Sequence, residues 1–145
     1  MAWVALVAWI LTAGGGFVLL SIWLSRGGMR QGRETGLRIR PPLILSHFGL
    51  AATGLVLWII YVATDSESLA WIAFVLLLVV AILGWTMFAI WYQRRRVQPA
   101  SAGETTAVGE PAEQRFPVPI VTLHGILAVA TVVLVFLTAI GVGES

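Results

Sequence analysis

The 145-residue chain contains no cysteine, no lysine, only two histidines and few charged residues, 11% of the total. The absence of cysteine excludes disulfides, thiolate metal sites and cysteine nucleophiles. The low charge, together with 59% hydrophobic residues, excludes a disordered chain and an ordinary soluble domain. The sequence also shows no nucleophile–base pair and no phosphate-binding loop. This composition indicates a membrane protein in which few side chains are available for chemistry.

Four apolar stretches are long enough to span a bilayer, which requires about 20 residues each. Because backbone groups in lipid must be hydrogen-bonded internally, each stretch is predicted to be a helix. The sequence therefore predicts an all-α transmembrane protein, with residues 1–145 forming one up-down-up-down four-helix bundle and a mobile loop over residues 97–114. The predicted spans are Ala2–Leu24, Leu43–Ala63, Leu69–Tyr92 and Val118–Val142.

The nine basic residues, all arginines, lie in only two of the three loops. The positive-inside rule places these loops in the cytoplasm and both termini outside, in a cytoplasmic (inner) membrane. This asymmetry explains the net charge of +2 without a nucleic-acid partner, and it leaves the lipid bilayer as the expected partner. The first loop carries Arg26, Arg30, Arg33, Arg38 and Arg40; the third carries Arg94, Arg95, Arg96 and Arg115.

Aromatic residues lie near the ends of the predicted spans. Trp3 and Trp71 lie near the outer ends, and Trp23, Trp91 and Tyr92 near the inner ends. Tryptophan and tyrosine are enriched at membrane interfaces, so this pattern predicts an aromatic belt.

The chain contains an internal repeat of a helical hairpin, with repeat 1 at about residues 2–63 and repeat 2 at about residues 69–142. A shift of 68 residues places the first helix on the third, and a shift of 77 places the second on the fourth. Matches at Pro, His, Gly, Trp and Arg are the informative ones. They pair Trp3 with Trp71, Gly16 with Gly84, Trp23 with Trp91, Arg26 with Arg94, Pro42 with Pro119 and His47 with His124.

The two histidines, His47 and His124, occupy equivalent positions on the second and fourth helices. An ionisable side chain inside a membrane segment is costly and is a functional candidate by default. Helices two and four form the diagonal of such a bundle, so both imidazoles are expected to point inward. Their distance from the arginines, about 10–14 Å along the helix, places both in the cytoplasmic half of the membrane.

Small residues accompany the histidines. Ala51 and Ala128 lie one turn further along the same helix faces, and Gly54 and Thr131 lie two turns further. Gly16 and Gly84 lie about a turn from the histidine level on the other helix pair. Together these six positions are expected to leave room for a flat ligand and to let it approach the backbone. The alternative is that they simply allow close packing of helices.

Imidazole is a common metal ligand, so a symmetric pair favours metal ligation. Zinc requires four ligands, and the membrane segments offer no cysteine or carboxylate. Copper has only Met87 as a further candidate. Haem iron needs only two axial ligands, because the porphyrin supplies four. His47 and His124 are therefore predicted to be the metal ligands of one haem, with Arg38, Arg40 and Arg115 as candidate partners for its propionates.

These positions resemble the haem-binding four-helix bundle of membrane b-type cytochromes, namely the cytochrome b subunit of quinol:cytochrome c reductases. There, histidines on the second and fourth helices ligate haem, and glycines on the first and third make room for it. The resemblance implies haem b as cofactor, His47 and His124 as ligands and Gly16 and Gly84 beside the ring. It covers arrangement only, and this chain has one histidine on each ligand helix where that family has two. The chain also resembles uncharacterised four-helix membrane proteins of actinobacteria.

The resulting hypothesis is a b-type cytochrome that exchanges electrons with a quinone or with a respiratory or redox partner protein. Such a chain is an electron-transfer subunit of a quinone-linked oxidoreductase without an active site wholly its own. A second hypothesis is a structural or assembly subunit of a larger membrane complex, in which the histidines form packing hydrogen bonds. A third is a metal-handling or transport protein.

Overall fold

The computed structural model describes residues 1–30, 38–97 and 112–143. This part of the chain is all-helical, and four of its helices are long and apolar enough to span a membrane. They are α1 (Ala2–Ser25), α2 (Pro41–Thr64), α3 (Glu67–Val97) and α4 (Val118–Ala139), and the short 3₁₀ helix η1 (Ala112–Arg115) precedes α4. Many large apolar side chains are exposed on the outside of the helices, as lipid contact requires.

The helix bounds follow from local chemistry. Pro41 and Pro42 extend α2 two residues before the predicted start, because proline is tolerated in the first turn of a helix. Asp65 ends α2 in the left-handed conformation, with φ of 52°. At the other end of the chain, α4 stops at Ala139, three residues before the predicted Val142. Gly141, with φ of 81°, takes the chain out of helical geometry there.

The third helix and the third loop differ most from the prediction. α3 continues five residues beyond Tyr92, through the three arginines, because arginine is a good helix former once the chain has left the apolar layer. The last three residues of the loop predicted to be mobile, 112–114, belong to η1, which ends at Arg115. The remainder of that loop, residues 98–111, lies outside the described residues.

Each helix packs closely against one helix of the other repeat. α2 packs most extensively on α3 and α1 on α4, whereas the contacts of α1 with α2 and of α3 with α4 are sparser. In the described part of the chain, α2 and α4 have no close backbone approach, so they lie across the bundle from one another. Neither predicted repeat therefore forms a closely packed unit by itself.

The buried residues form two separate hydrophobic clusters. The Trp58 cluster combines the first halves of α1 and α3 with the second halves of α2 and α4. The Trp23 cluster combines the second halves of α1 and α3 with the first turn of α2 and the segments that precede α2 and α4. The Trp58 cluster contains Ala5, Leu6, Trp9, Trp58, Tyr61, Ala70, Ala73, Leu77, Val135 and Ala139; the Trp23 cluster contains Leu20, Trp23, Ile39, Ile44, Trp91, Ala112 and Phe116.

The Trp23 cluster corrects the prediction of an inner aromatic belt. Trp23 is 0% exposed and Trp91 is 5% exposed, so both indoles lie inside the bundle, whereas Tyr92 is exposed. The buried Glu113 of η1 joins the two loops at this end, because its Oε1 accepts a hydrogen bond of 3.0 Å from the backbone N–H of Ile39. At the opposite end, Trp3 and Trp71 are exposed, as a belt requires.

Candidate functional site

The two histidine rings lie inside the bundle and close to one another. His47 projects from α2 and His124 from α4, the two helices that lie across the bundle from each other. Their ring centroids are 6.4 Å apart, and the ring planes are inclined at 70°. Both rings are half-buried. The structure thus brings together the two side chains that the sequence singled out.

Each imidazole is oriented by one backbone hydrogen bond. His47 Nδ1 donates to the carbonyl oxygen of Val80 on α3 at 3.0 Å, and His124 Nδ1 donates to the carbonyl oxygen of Thr12 on α1 at 2.9 Å. Because a carbonyl can only accept, each Nδ1 must carry the proton, and each neutral ring keeps a lone pair on Nε2. Neither Nε2 has a hydrogen-bond partner among the residues that the structure describes.

The two hydrogen bonds occupy equivalent positions in the internal repeat. The acceptors Thr12 and Val80 are 68 residues apart, the same shift that relates Gly16 to Gly84. Each glycine follows its acceptor by four residues, so acceptor and glycine share a helix face. A Cβ at Gly16 would lie 3.0 Å from His124 Cε1, and one at Gly84 would lie 3.2 Å from His47 Cε1.

The absent side chains therefore let each imidazole lie against the neighbouring helix and reach a carbonyl that a larger residue would cover. The sequence had predicted that Gly16 and Gly84 face a ligand; the structure places the histidine rings themselves against them. The sequence does contain a glycine four residues after each acceptor on two equivalent helices. This pattern indicates a histidine–carbonyl contact only once it is known which helices pack together.

Around the histidines, all four helices lack fully buried residues. This histidine layer comprises residues 13–19, 45–53, 81–90 and 117–130, and each of them is half-buried or exposed. At 1.5 Å per residue the layer is roughly 10–15 Å thick on the first three helices. The two hydrophobic clusters border it on either side. The histidine pair lies in this layer of half-buried side chains between the two clusters, and the layer is therefore the candidate ligand site.

The remaining predicted site residues fall into two groups. Ala51 and Ala128 are half-buried and lie within the histidine layer. Gly54 and Thr131 lie beyond it and face protein groups. A Cβ at Gly54 would lie 3.0 Å from Cζ2 of the Trp9 indole.

Thr131 is fully buried and faces Thr12 across the helix interface. Its Oγ1 is 2.9 Å from Thr12 Oγ1, and Thr12 is also the residue whose carbonyl holds His124. The equivalent positions in the other repeat are Val80 and Gly54, which have no hydroxyl groups. The surroundings of the two histidine hydrogen bonds therefore differ, because only the one from His124 has a threonine pair beside its acceptor.

The donor set limits what the two imidazoles can hold. The described residues contain no group of three or more histidine, cysteine, aspartate or glutamate side chains that could hold a metal ion. Met87 packs against the Trp23 cluster. Two metal–nitrogen bonds of about 2.1 Å, extended by the two ring radii, separate imidazole centroids by roughly 6 Å. The observed 6.4 Å is close to the separation of two imidazoles on one ion when both Nε2 atoms lie between the rings, and such an ion would take its other donors from a cofactor.

The arginines proposed as propionate partners lie towards the Trp23 cluster. Arg38 and Arg40 flank Ile39, and Arg115 precedes Phe116; both apolar residues belong to that cluster. Arg38 is half-buried, and Arg40 and Arg115 are exposed. These guanidinium groups therefore lie at the Trp23 end of the bundle. Along the chain, both histidines are closer to this end than to the opposite one.

No protein-family model, curated protein or solved structure matches this chain, so the case for its function rests on the histidine layer.

Proposed function

We propose that the protein is a b-type cytochrome that holds one haem between His47 and His124. The observation that carries this proposal is the ring pair: two inward imidazoles with 6.4 Å between centroids, each with Nδ1 engaged and Nε2 free. Metal-ligating histidines almost always donate their other ring N–H to a carbonyl or carboxylate, which fixes the tautomer and the ring orientation. Both histidines meet this requirement.

In this proposal the protein acts by holding and orienting the ligands. The carbonyls of Val80 and Thr12 keep the Nδ1 protons in place, so both Nε2 lone pairs remain available. Gly16 and Gly84 let each ring lie against its neighbouring helix, and the small side chains of Ala51 and Ala128 lie one turn away. A bound haem would supply one-electron redox chemistry, with its potential set by axial ligands, burial and nearby hydrogen bonds.

The proposal includes an up-down-up-down bundle in the cytoplasmic membrane with both termini outside. The distribution of helix halves between the two hydrophobic clusters supports the alternation of direction. The arginines in the loops at the Trp23 end support a cytoplasmic location for that end. A haem in the histidine layer would exchange electrons with a quinone or a redox partner protein.

Electron transfer across the whole membrane would need another redox centre. The other half of the bundle is filled by side chains such as Trp9, Trp58 and Tyr61 and offers no second histidine pair. The single-haem prediction thus implies that electrons arrive and leave from one side, or through a partner subunit.

The visible absorption spectrum tests this proposal. Protein purified from haem-replete cells is expected to show the bands of a b-type cytochrome on reduction, at one haem per chain. Bis-imidazole ligation also predicts that carbon monoxide leaves the reduced spectrum unchanged, since no axial position is open. A colourless preparation, or haem well below one per chain after reconstitution, would contradict the proposal.

A second candidate function is a structural or assembly subunit without its own cofactor. The observation in its favour is that both Nδ1 groups already donate to helix carbonyls, which is what a packing histidine requires. The two candidates differ in what they need from Nε2, so substitutions that remove Nε2 but keep a donor at the position of Nδ1 separate them.

A further inference from the structure

The third helix extends beyond the membrane core at its arginine end. α3 has 31 residues, against 24, 24 and 22 for the other three helices. At 1.5 Å per residue it is about 46 Å long, whereas the hydrocarbon core is about 30 Å thick. Its last turn, which carries Arg94, Arg95 and Arg96, therefore lies at the level of lipid headgroups.

Aromatic side chains lead along α3 to these arginines. The Trp85 and Phe88 rings are 5.6 Å apart, and the Phe88 and Tyr92 rings are 5.9 Å apart and stacked at 16°. Arg96 lies over the Tyr92 ring at 4.8 Å, and Arg95 lies over the Trp91 ring at 5.1 Å. We name this array, formed by Trp85, Phe88, Trp91, Tyr92, Arg95 and Arg96, the aromatic–arginine ladder.

All members of the ladder except the buried Trp91 are exposed, where a lipid can reach them. Trp85 is 62% exposed, and Phe88, Tyr92, Arg95 and Arg96 are exposed as well. In the described part of the chain, neither guanidinium forms an ion pair with a carboxylate. Stacking on a ring restricts an arginine side chain and leaves the edge of its guanidinium free to donate hydrogen bonds.

The repeat shows that the fold does not require the ladder. The positions equivalent to Trp85, Phe88 and Tyr92 in α1 are Phe17, Leu20 and Leu24, and those equivalent to Arg95 and Arg96 are Gly27 and Gly28. α1 ends at Ser25, and Gly27 has φ of 76°. α1 and α3 are therefore equivalent in the repeat, but they differ in the aromatic and arginine side chains that would hold a lipid.

We propose that the aromatic–arginine ladder binds one anionic phospholipid. The phosphate is held by hydrogen bonds from Arg95 and Arg96, which are the charge-assisted bonds that guanidinium groups form with phosphate. The acyl chains lie along Trp85 and Phe88. Basic residues next to a membrane helix recognise anionic headgroups, and stacking fixes the position of these two. This inference is independent of haem binding.

Native mass spectrometry of the purified protein tests the site. The protein is titrated with phosphatidylglycerol and with phosphatidylcholine of identical acyl chains, and the first bound lipid is quantified. We expect wild type to prefer phosphatidylglycerol by about tenfold, since two arginines near the headgroup contribute. The double variant R95Q/R96Q is expected to lose this preference.

A matched control removes equal charge at the same end of the bundle. Arg26 and Arg30 are exposed, and neither contacts an aromatic ring within the described residues. The double variant R26Q/R30Q is therefore expected to retain the preference. The variant Tyr92→Leu, which introduces the residue found at the equivalent position of α1, keeps both arginines and is expected to weaken binding of phosphatidylglycerol.

Two outcomes would overturn this inference. One is an equal loss of the phosphatidylglycerol preference in R95Q/R96Q and in R26Q/R30Q, which would show that net charge alone causes the preference. The other is equal binding of both lipids by wild type. Because all four arginines are exposed, unchanged circular dichroism and a single gel-filtration peak are expected for both double variants.

Discussion

Replacing either histidine by asparagine is expected to abolish haem binding while the bundle stays folded. Asparagine places an amide N–H near the position of the imidazole Nδ1–H, so His47→Asn retains a donor for the Val80 carbonyl, and His124→Asn retains one for the Thr12 carbonyl. Neither variant has an atom equivalent to Nε2. Loss of one axial ligand leaves a single imidazole to hold the haem, so we expect haem per chain to fall from one to near zero after purification.

The asparagine variants also separate the two candidate functions. The measurements are haem content by absorbance and thermal unfolding in detergent by circular dichroism. His47→Ala and His124→Ala serve as comparisons, because they remove both the hydrogen bond and the ligand. If the protein is a structural subunit, wild type is colourless, asparagine variants unfold like wild type, and only the alanine variants are less stable. Full haem content in either asparagine variant would contradict bis-histidine ligation.

The second large effect is expected at Gly16. A valine there puts Cβ at 3.0 Å from His124 Cε1 and adds two methyl groups beyond it, so the imidazole must leave the Thr12 carbonyl. Inserting bulk into a packed site and leaving a polar group unpaired each cost about 1–3 kcal/mol. We expect Gly16→Val to destabilise the protein by that amount and to lower haem content at least severalfold, measured by thermal unfolding and by absorbance.

Gly14 provides the matched control for this substitution. It belongs to the same Gly14–Gly16 run, but a Cβ there would meet nothing within 4 Å. Gly14→Val is therefore expected to change stability by no more than about 0.5 kcal/mol, the usual range for exposed positions, and to keep its haem. Equal effects at Gly14 and Gly16 would show that helix propensity, and not the histidine contact, determines the outcome.

The four helices and the inward histidine pair were predictable because their signals are local or repeated. A helix that spans a bilayer requires a long apolar run, and such runs are recognisable directly in the sequence. The equivalence of His47 and His124 follows from matching 77-residue spacing at a proline and a histidine, which apolar composition does not produce by chance. In an up-down-up-down bundle, the second and fourth helices form a diagonal, which puts both residues across the bundle from one another.

Other features depend on which helix faces meet, and that information is not in the periodicity. Trp23 and Trp91 have the position of interfacial tryptophans along the chain, yet helix rotation turns them inward, where they are almost completely buried. Likewise, Gly54 looked like an open position two turns from His47. The Trp9 indole, from a different helix, lies against it.

The close pairing of α1 with α4 and of α2 with α3 explains both the histidine hydrogen bonds and the role of the glycines. A repeat predicts that two hairpins are alike, but it does not say whether each packs within itself or on the other. Each histidine finds its carbonyl on the closely packed neighbour, which belongs to the other repeat.

The most direct test of the account is the low-temperature electron paramagnetic resonance spectrum of the oxidised, purified wild-type protein. Two imidazoles on one ferric haem produce a low-spin iron centre, so the account predicts a low-spin signal that integrates to one spin per chain. It also predicts that this signal is absent from His47→Asn and from His124→Asn. A high-spin ferric signal in wild type, or no haem iron signal from haem-replete protein, would contradict the assignment of His47 and His124 as a ligand pair.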